Sequence, residues 1–233
     1  YTNISSMDED LDSGVMFRFS PDQELKKHHK YQHLYAWFLY GLMTLQWAFE
    51  KDFLQLIRYH KNGLLKIQKR NFTNQMALLI FYKVIYYTYA LVLPLIFLDN
   101  WWLVLIGYFT MHYTAGLILS VVFQCAHVME PNDFNSPNES RVVDKNWFVH
   151  QLNTTCNFAM NSKLLSWFIG GLNFQIEHHL FPNICHIHYK KISKIVQSTA
   201  QEFNVPYKSY KNMFSAIRSH YKFLKHLGSY NIA

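Results

Sequence analysis

Hydrophobic and polar residues alternate along this chain in long blocks. Residues 1–32 are polar, acidic around DEDLD and basic through KKHHK, and read as a loop entering a helix. HLYAWFLYGLMTLQWAF, residues 33–49, is apolar but close to the lower length limit for crossing hydrocarbon, so it predicts either a span or an interfacial or re-entrant helix. MALLIFYKVIYYTYALVLPLIFL, residues 76–98, has one charge, Lys83, and is long enough to cross a bilayer; Lys83 is expected to snorkel toward a polar boundary. After Asp99 and Asn100 a second apolar run begins at Trp101 and predicts a span over about 101–123. Two spans joined by two polar residues make a tight hairpin.

Beyond the hairpin, residues 130–146 form a polar loop containing two prolines. KISKIVQSTAQEF, residues 191–203, places Ile192, Ile195, Val196, Thr199 and Phe203 on one helical face. Residues 209–227 repeat the pattern through Tyr210, Phe214, Ile217, Tyr221 and Leu224. Such basic amphipathic helices suit a soluble cap or a lipid surface. The fold class expected is all-α: an integral membrane protein with a transmembrane helical hairpin, followed over 124–233 by helices of a soluble cap or a lipid surface.

Composition agrees with this division. Half of the 233 residues are hydrophobic and 18% are aromatic, yet mean hydropathy is only -0.08, so apolar residues must be concentrated in blocks. The formal charge of +7 suits nucleic acid as well as a membrane surface, and its distribution decides. Residues 51–75 hold Lys51, Arg58, Lys61, Lys66, Lys69 and Arg70 against one acid, Asp52, and the tail is also basic. Both flanks of the hairpin therefore face the cytoplasm, and membrane lipid rather than nucleic acid is the expected partner. Cys125, Cys156 and Cys185, odd in number and without paired spacing, predict reduced thiols. The first residues, YTNISSMDEDLDSG, have no signal-peptide pattern and read like the middle of a longer sequence.

The candidate chemistry lies among the thirteen histidines. In QIEHH, Gln175, His178 and His179 stand at i, i+3 and i+4, one face of a helix, so three side chains can converge on a metal. The competing reading is a surface pair on an amphipathic helix. His127, at the end of the second span, is a functional candidate or a histidine satisfied by a backbone carbonyl. His112, mid-span, reads as bonded to a neighbouring helix. In HHKYQH, His28, His29 and His33 precede an apolar segment among lysines and read as solvated or interfacial residues. His186 and His188 alternate and point to different sides, and His150 carries no spacing signal.

GGLNFQIEHHLFPNICHIHY closely resembles the third histidine motif of membrane fatty acid desaturases, and its glutamine in place of the motif's first histidine resembles the front-end acyl-lipid branch. WFVHQLNTTCNFAMNSKLLSWF and HHKYQHLYAWFLYGLMTL look like the same family. The resemblance implies four transmembrane helices, of which this hairpin is the second half. It also implies a cytosolic cap, and two iron ions held by histidines from three motifs plus one further histidine after the last span. Carried over, His178 and His179 are metal ligands, Gln175 the substituted position, either a weak ligand or an orienting group, and His127 the additional histidine. The first two motifs are absent, so the chain is expected to be a C-terminal part, inactive alone. The implied reaction is O2-dependent desaturation of a fatty acyl lipid or acyl-CoA on the cytoplasmic side, with cytochrome b5 or ferredoxin as electron donor. Aromatic residues of 33–49, with Trp167 and Phe168, are candidates for lining an acyl tunnel or for core packing. A sphingoid-base desaturase, a di-iron hydroxylase and a silent acyl-lipid-binding homologue are the rival readings.

Overall fold

The computed structural model describes residues 2–4, 8, 15–130, 132–134 and 146–229. The acidic DEDLD stretch after Asp8 and most of the polar loop at 130–146 lie outside the described residues. The chain divides into two units: Trp37–Ser120, and the residues up to Ala36 together with those from Val121 onward.

The first of these units is helical. The end of α1 (Gln32–Gly41) leads into α2 (Met43–Gln46), a π turn at Trp47–Lys51, α3 (Asp52–Lys61) and α4 (Leu64–Ile67). Gly63, at φ +73, breaks the chain between α3 and α4 in a conformation that glycine adopts without strain. A helix long and apolar enough to cross a membrane then runs from Phe72 to Phe97 as α5 (Phe72–Tyr87), a π turn at Thr88–Val92 and α6 (Leu93–Phe97). Asn71 caps it, accepting from the Asn74 amide at 3.2 Å. α7 (Trp101–His127) is the second such helix. Both helices extend about a turn beyond the expected spans, through Phe72 and to His127. At 1.5 Å per residue each is about 39 Å long, against about 30 Å of hydrocarbon. Ile80, Phe81, Val84, Ile96, Ile106 and Phe109 are exposed.

Close backbone packing joins α1 to α7. A Cβ on Gly116 would come within 2.6 Å of the Gly41 carbonyl, and one on Gly41 would run into the Tyr113 ring. Small residues permit this approach, the usual solution between apolar helices. Polar side chains in the unit find partners inside it. His112 Nε2 meets the Tyr86 hydroxyl at 2.6 Å and His112 Nδ1 the Thr44 hydroxyl at 3.1 Å. Lys83 does not snorkel: its Nζ donates to the carbonyls of Trp47 and Ala48 at 3.0 and 2.6 Å and pairs with Asp52 at 2.7 Å. The carbonyls it reaches are those of the π turn, where the regular helical ladder is disturbed.

The other unit holds α8 (Trp147–Thr154), β1 (Asn157–Phe158), α9 (Lys163–Phe168), α10 (Gln175–Leu180), α11 (Tyr189–Glu202), β2 (Ser209–Tyr210) and α12 (Met213–Leu227). β1 and β2 pair in parallel, Asn157 opposite Ser209 and Phe158 opposite Tyr210. Val122, Cys125, Ala126, Met129, Phe158 and Ala216 form one buried cluster, and Leu152, Ile176, Leu180, Val196 and Ala200 another. The three cysteines are free thiols, as their spacing predicts.

Two amphipathic faces differ from expectation. α11 buries Tyr189, Ser193, Val196 and Ala200 and leaves Ile195 and Phe203 exposed. α12 buries Ala216, Ser219, His220, Phe223, Leu224 and Leu227 and exposes Phe214. In both, small residues form much of the seam because they let helices approach closely, which a count of large apolar residues misses. His220 belongs in its seam because its Nδ1 meets the Val128 carbonyl at 2.7 Å.

Candidate metal centre

All the candidate ligands lie in the unit that follows Ser120 in sequence. α10 begins after a turn in which Gly170 and Gly171 both take positive φ, +60 and +76. Gly171 is also closely covered, since a Cβ there would fall 2.8 Å from that of His186. Only glycine meets both demands without strain. The six-residue helix is too short to hold its own orientation by backbone bonds alone. Asn157 and Glu177 supply what is missing.

The side chain of Asn157 accepts from the Ile176 amide at 2.9 Å and donates to Glu177 Oε2 at 2.8 Å. Glu177 Oε1 accepts from the Tyr207 hydroxyl at 2.9 Å. Glu177 is fully buried, and burial raises its pKa while the Asn157 and Tyr207 donors pull the other way. The same burial, with the Glu177 charge, raises the Tyr207 pKa. This network fixes the roll of α10 and thereby aims the histidine face.

On that face Gln175 stands between two imidazoles. Its Nε2 lies 3.0 Å from His127 Nε2 and 3.1 Å from His179 Nε2, and the two rings are 5.0 Å apart, centroid to centroid. The tautomer of His179 follows from its other nitrogen. The Thr2 hydroxyl donates its single proton to Gln151 Oε1 at 3.1 Å, so toward His179 Nδ1, at 3.2 Å, it can only accept. His179 therefore carries its proton on Nδ1 and turns the Nε2 lone pair inward. An outer partner on one nitrogen that leaves the other bare is the usual setting of a metal-binding histidine. Burial, reinforced by the neighbouring histidines, pushes the His179 pKa down to about 2, keeping the ring neutral.

Thr2 is itself fixed, its carbonyl meeting His150 Nε2 at 2.8 Å. Asn3 donates to the carbonyls of His127, Asp133 and Thr154, each at 3.2 Å. His150, without a spacing signal, thus has a structural role.

His178 stands apart. Its Nδ1 is 3.4 Å from the Tyr189 hydroxyl, and its ring is 5.6 Å from that of His179 and nearly perpendicular to it. The structure thus brings His127, Gln175 and His179 together and turns His178 toward α11. The donor set fits a metal in part. The Nε2 atoms of His127 and His179 converge on the Gln175 amide, which, turned about its last bond, offers an oxygen in place of nitrogen. Among the described residues no group of three or more His, Cys, Asp or Glu side chains is placed to hold a metal.

The HHKYQH cluster is corrected. His29 is buried, with Nδ1 accepting from the Lys26 amide at 3.1 Å and Nε2 at 3.2 Å from the Val15 carbonyl. His33 is buried and stacks edge-on against Tyr221. Only His28 is exposed. Sequence reasoning missed Thr2, Asn157 and Tyr207, and gave Glu177 no role. One signal was available: Glu177 is the only acidic residue between Asp144 and Glu202 and sits in an apolar run.

Directly after His179, Leu180 and Phe181 join Phe148, Leu152, Ile192 and Val196 around an apolar cavity of about 510 Å³.

Comparison with known proteins gives the family. Residues 1–211 match the family model for fatty acid desaturase. The chain is 37% identical to the sn-1 linoleoyl-lipid 6-desaturase of a Synechocystis strain, over 98% of this chain and 63% of the relative. It is 34% identical to the sn-1 linoleoyl-lipid 6-desaturase of Arthrospira platensis, over 97% and 60%. With the Delta(5) fatty acid desaturase A of Dictyostelium discoideum it shares 34% identity, over 98% and 50%. The chain thus spans between half and two thirds of these relatives' length. No solved structure matches it. With a front-end type of histidine motif, a match over nearly all its length and relatives that are acyl-lipid desaturases, the chain belongs to the fatty acid desaturase family.

Proposed function

We propose that this chain carries the third-motif part of the active centre of a front-end acyl-lipid desaturase, which places a double bond in a long fatty acyl chain. The observation that carries the reading is the meeting of His127 Nε2 and His179 Nε2 at the Gln175 amide, with the His179 tautomer set by Thr2. His127 and His179 would hold one iron, with Gln175 a weak ligand or a brace between them. His178 would serve the second iron. Iron, with O2 and two electrons, supplies the oxidising power to remove hydrogen from an unactivated methylene, which side chains alone lack. The work of this chain's residues is to hold the ligands neutral, buried and aimed. The Glu177 network and Thr2 do so.

These four side chains fall short of the ligands two irons need, so desaturation requires further ligands beyond the described residues. Helices Phe72–Phe97 and Trp101–His127 are read as two membrane spans of a four-span protein, with both flanks cytoplasmic. The charge of residues 58–70 and of the tail supports that orientation. Labelling single cysteines at positions 60 and 210 tests it, and an outward-facing site would refute it. The apolar cavity past His179 supports an acyl segment as ligand. Exposed Lys190, Lys191, Lys194, Lys222 and Lys225 support an acidic electron donor such as cytochrome b5 or ferredoxin.

The test is a chimera. Residues 1–233 joined to the upstream part of the Synechocystis relative should form new double bonds in a host rich in linoleoyl lipids, read by gas chromatography. Residues 1–233 alone should form none. A folded, iron-loaded chimera without product would overturn the assignment.

A further inference from the structure

The basic segment before the first long apolar helix has a geometry that topology alone does not require. α3 packs along α5. At its start Asp52 pairs with Lys83, and near its end His60 stacks on Phe72, with ring centroids 4.4 Å apart. Lys83 lies eleven residues into the helix that Phe72 opens, about 16 Å along its axis. α3 therefore rises beside α5 from the depth of Lys83 to the helix's first turn. Gly63 then turns the chain into α4, which returns it to Phe72. Arg58, Lys61, Lys66, Lys69 and Arg70 are all exposed, and residues 58–70 contain no acid. The cations thus gather around one end of a long apolar helix, with Arg70 two residues from its start. Among them Ile67 is 77% exposed, while Leu65 of the same turn is buried.

We propose that Arg58, Lys61, Lys66, Lys69 and Arg70 form a collar that binds the headgroups of anionic phospholipids, with Ile67 inserted among the upper acyl carbons. The inference rests on reading Phe72–Phe97 and Trp101–His127 as membrane spans. Given that reading, the cations stand at headgroup depth, where each basic side chain adds to the attraction for anionic lipid. An exposed isoleucine between lysines suits a lipid boundary better than an acidic protein, whose complementary surface would be polar there.

The experiment uses the whole chain purified in detergent and offered equal amounts of phosphatidylglycerol and phosphatidylcholine, with bound lipid read by native mass spectrometry. The wild-type chain should retain phosphatidylglycerol preferentially. Neutralising the five positions (R58Q, K61Q, K66Q, K69Q, R70Q) should cut that preference by at least about tenfold. Neutralising five cations elsewhere (K190Q, K191Q, K194Q, K222Q, K225Q) should leave it in place. Should the first variant fail to give the wild-type circular dichroism, the pair K69Q and R70Q should still lower the preference by about threefold. Equal retention in all variants, or no wild-type preference, overturns the collar. So does salt-sensitive binding of a soluble cytochrome b5 that is lost in the first variant while its lipid preference survives. Flotation with neutral phosphatidylcholine vesicles tests the spans separately. Failure to float sinks the membrane reading itself, whereas floating without anionic preference sinks only the collar.

Discussion

Two histidine clusters in this chain share helical spacing and differ in what their nitrogens face. In HHKYQH, both ring nitrogens of His29 meet backbone groups, the Lys26 amide and the Val15 carbonyl. In QIEHH, one nitrogen of His179 is held by a hydroxyl, and the other turns to an amide that a second imidazole shares. His29 and His33 are buried while His178 and His179 are half-buried, so greater burial does not mark the binding cluster. The difference lies in the destination of the second nitrogen. A histidine whose two nitrogens meet backbone groups braces the fold, whereas one whose inner nitrogen faces another imidazole across a polar group stands where the proposed metal would bind.

The contrast is sharpest for metal. In the chimera, His179→Ala or His127→Ala should abolish iron loading and product together, and His178→Ala should abolish product. His29→Ala should keep its iron, since it removes a brace and not a ligand; inductively coupled plasma mass spectrometry reads the difference. Loss of iron in all of these variants would erase the distinction between the clusters.

Glu177 tests what aims the binding cluster. Glu177→Ala strands the buried donors of Asn157 and Tyr207 and should cost about 3 kcal/mol, read as a lowered melting temperature in detergent. Glu177→Gln, which keeps one acceptor, should cost less. Equal melting of both variants with the wild type would mean that α10 is held some other way.

Acid should weaken the unit that holds the site. His220 is completely buried and its pKa is lowered to about 4 by desolvation, against 6.5 when exposed. A lowered histidine contributes stability that is complete above the unfolded pKa and is lost as pH falls through the folded one. Between pH 6.5 and 4 this loss is on the order of 3 kcal/mol. His220→Asn keeps a donor for the Val128 carbonyl and cannot take up the proton, so its melting temperature should fall less over that window. Parallel curves for the two proteins would contradict the assignment.

Smaller effects separate an outer partner from a bystander. Thr2→Val removes the hydroxyl behind His179 and should weaken iron binding by about tenfold without changing the fold. His28→Ala, at an exposed ring, should change stability by no more than about 0.5 kcal/mol. Reversed magnitudes would indicate that Thr2 does not orient the ligand.

Much of this was legible in the sequence because it rests on local pattern. The two long apolar helices follow from block length and the Asp99–Asn100 turn, and the QIEHH face from helical spacing. His127 stood out by its place at the end of a span, but its pairing with His179 entered only through family resemblance, because the distance from 127 to 179 leaves no periodic trace. Asn157 and Tyr207 were illegible for the same reason: they reach Glu177 across 20 and 30 residues. His29 was misread because lysines around it suggested solvent, whereas Val15 and Gly228, far along the chain, cover it. His112 and Lys83 divide here. His112 bonds neighbouring helices through Tyr86 and Thr44, as its mid-span position predicts, whereas Lys83, expected to snorkel, is held by Asp52 and the carbonyls of Trp47 and Ala48.

The central claim is that His127, Gln175 and His179 make one metal site while the HHKYQH histidines make none. Anaerobic titration of residues 1–233 with Fe2+ in detergent, followed by calorimetry, tests it most directly. The chain should bind at most one iron, weakly, with that binding lost in His127→Ala and His179→Ala and kept in His29→Ala. Two irons per chain, or one that survives His179→Ala and disappears with His29→Ala, would contradict the account.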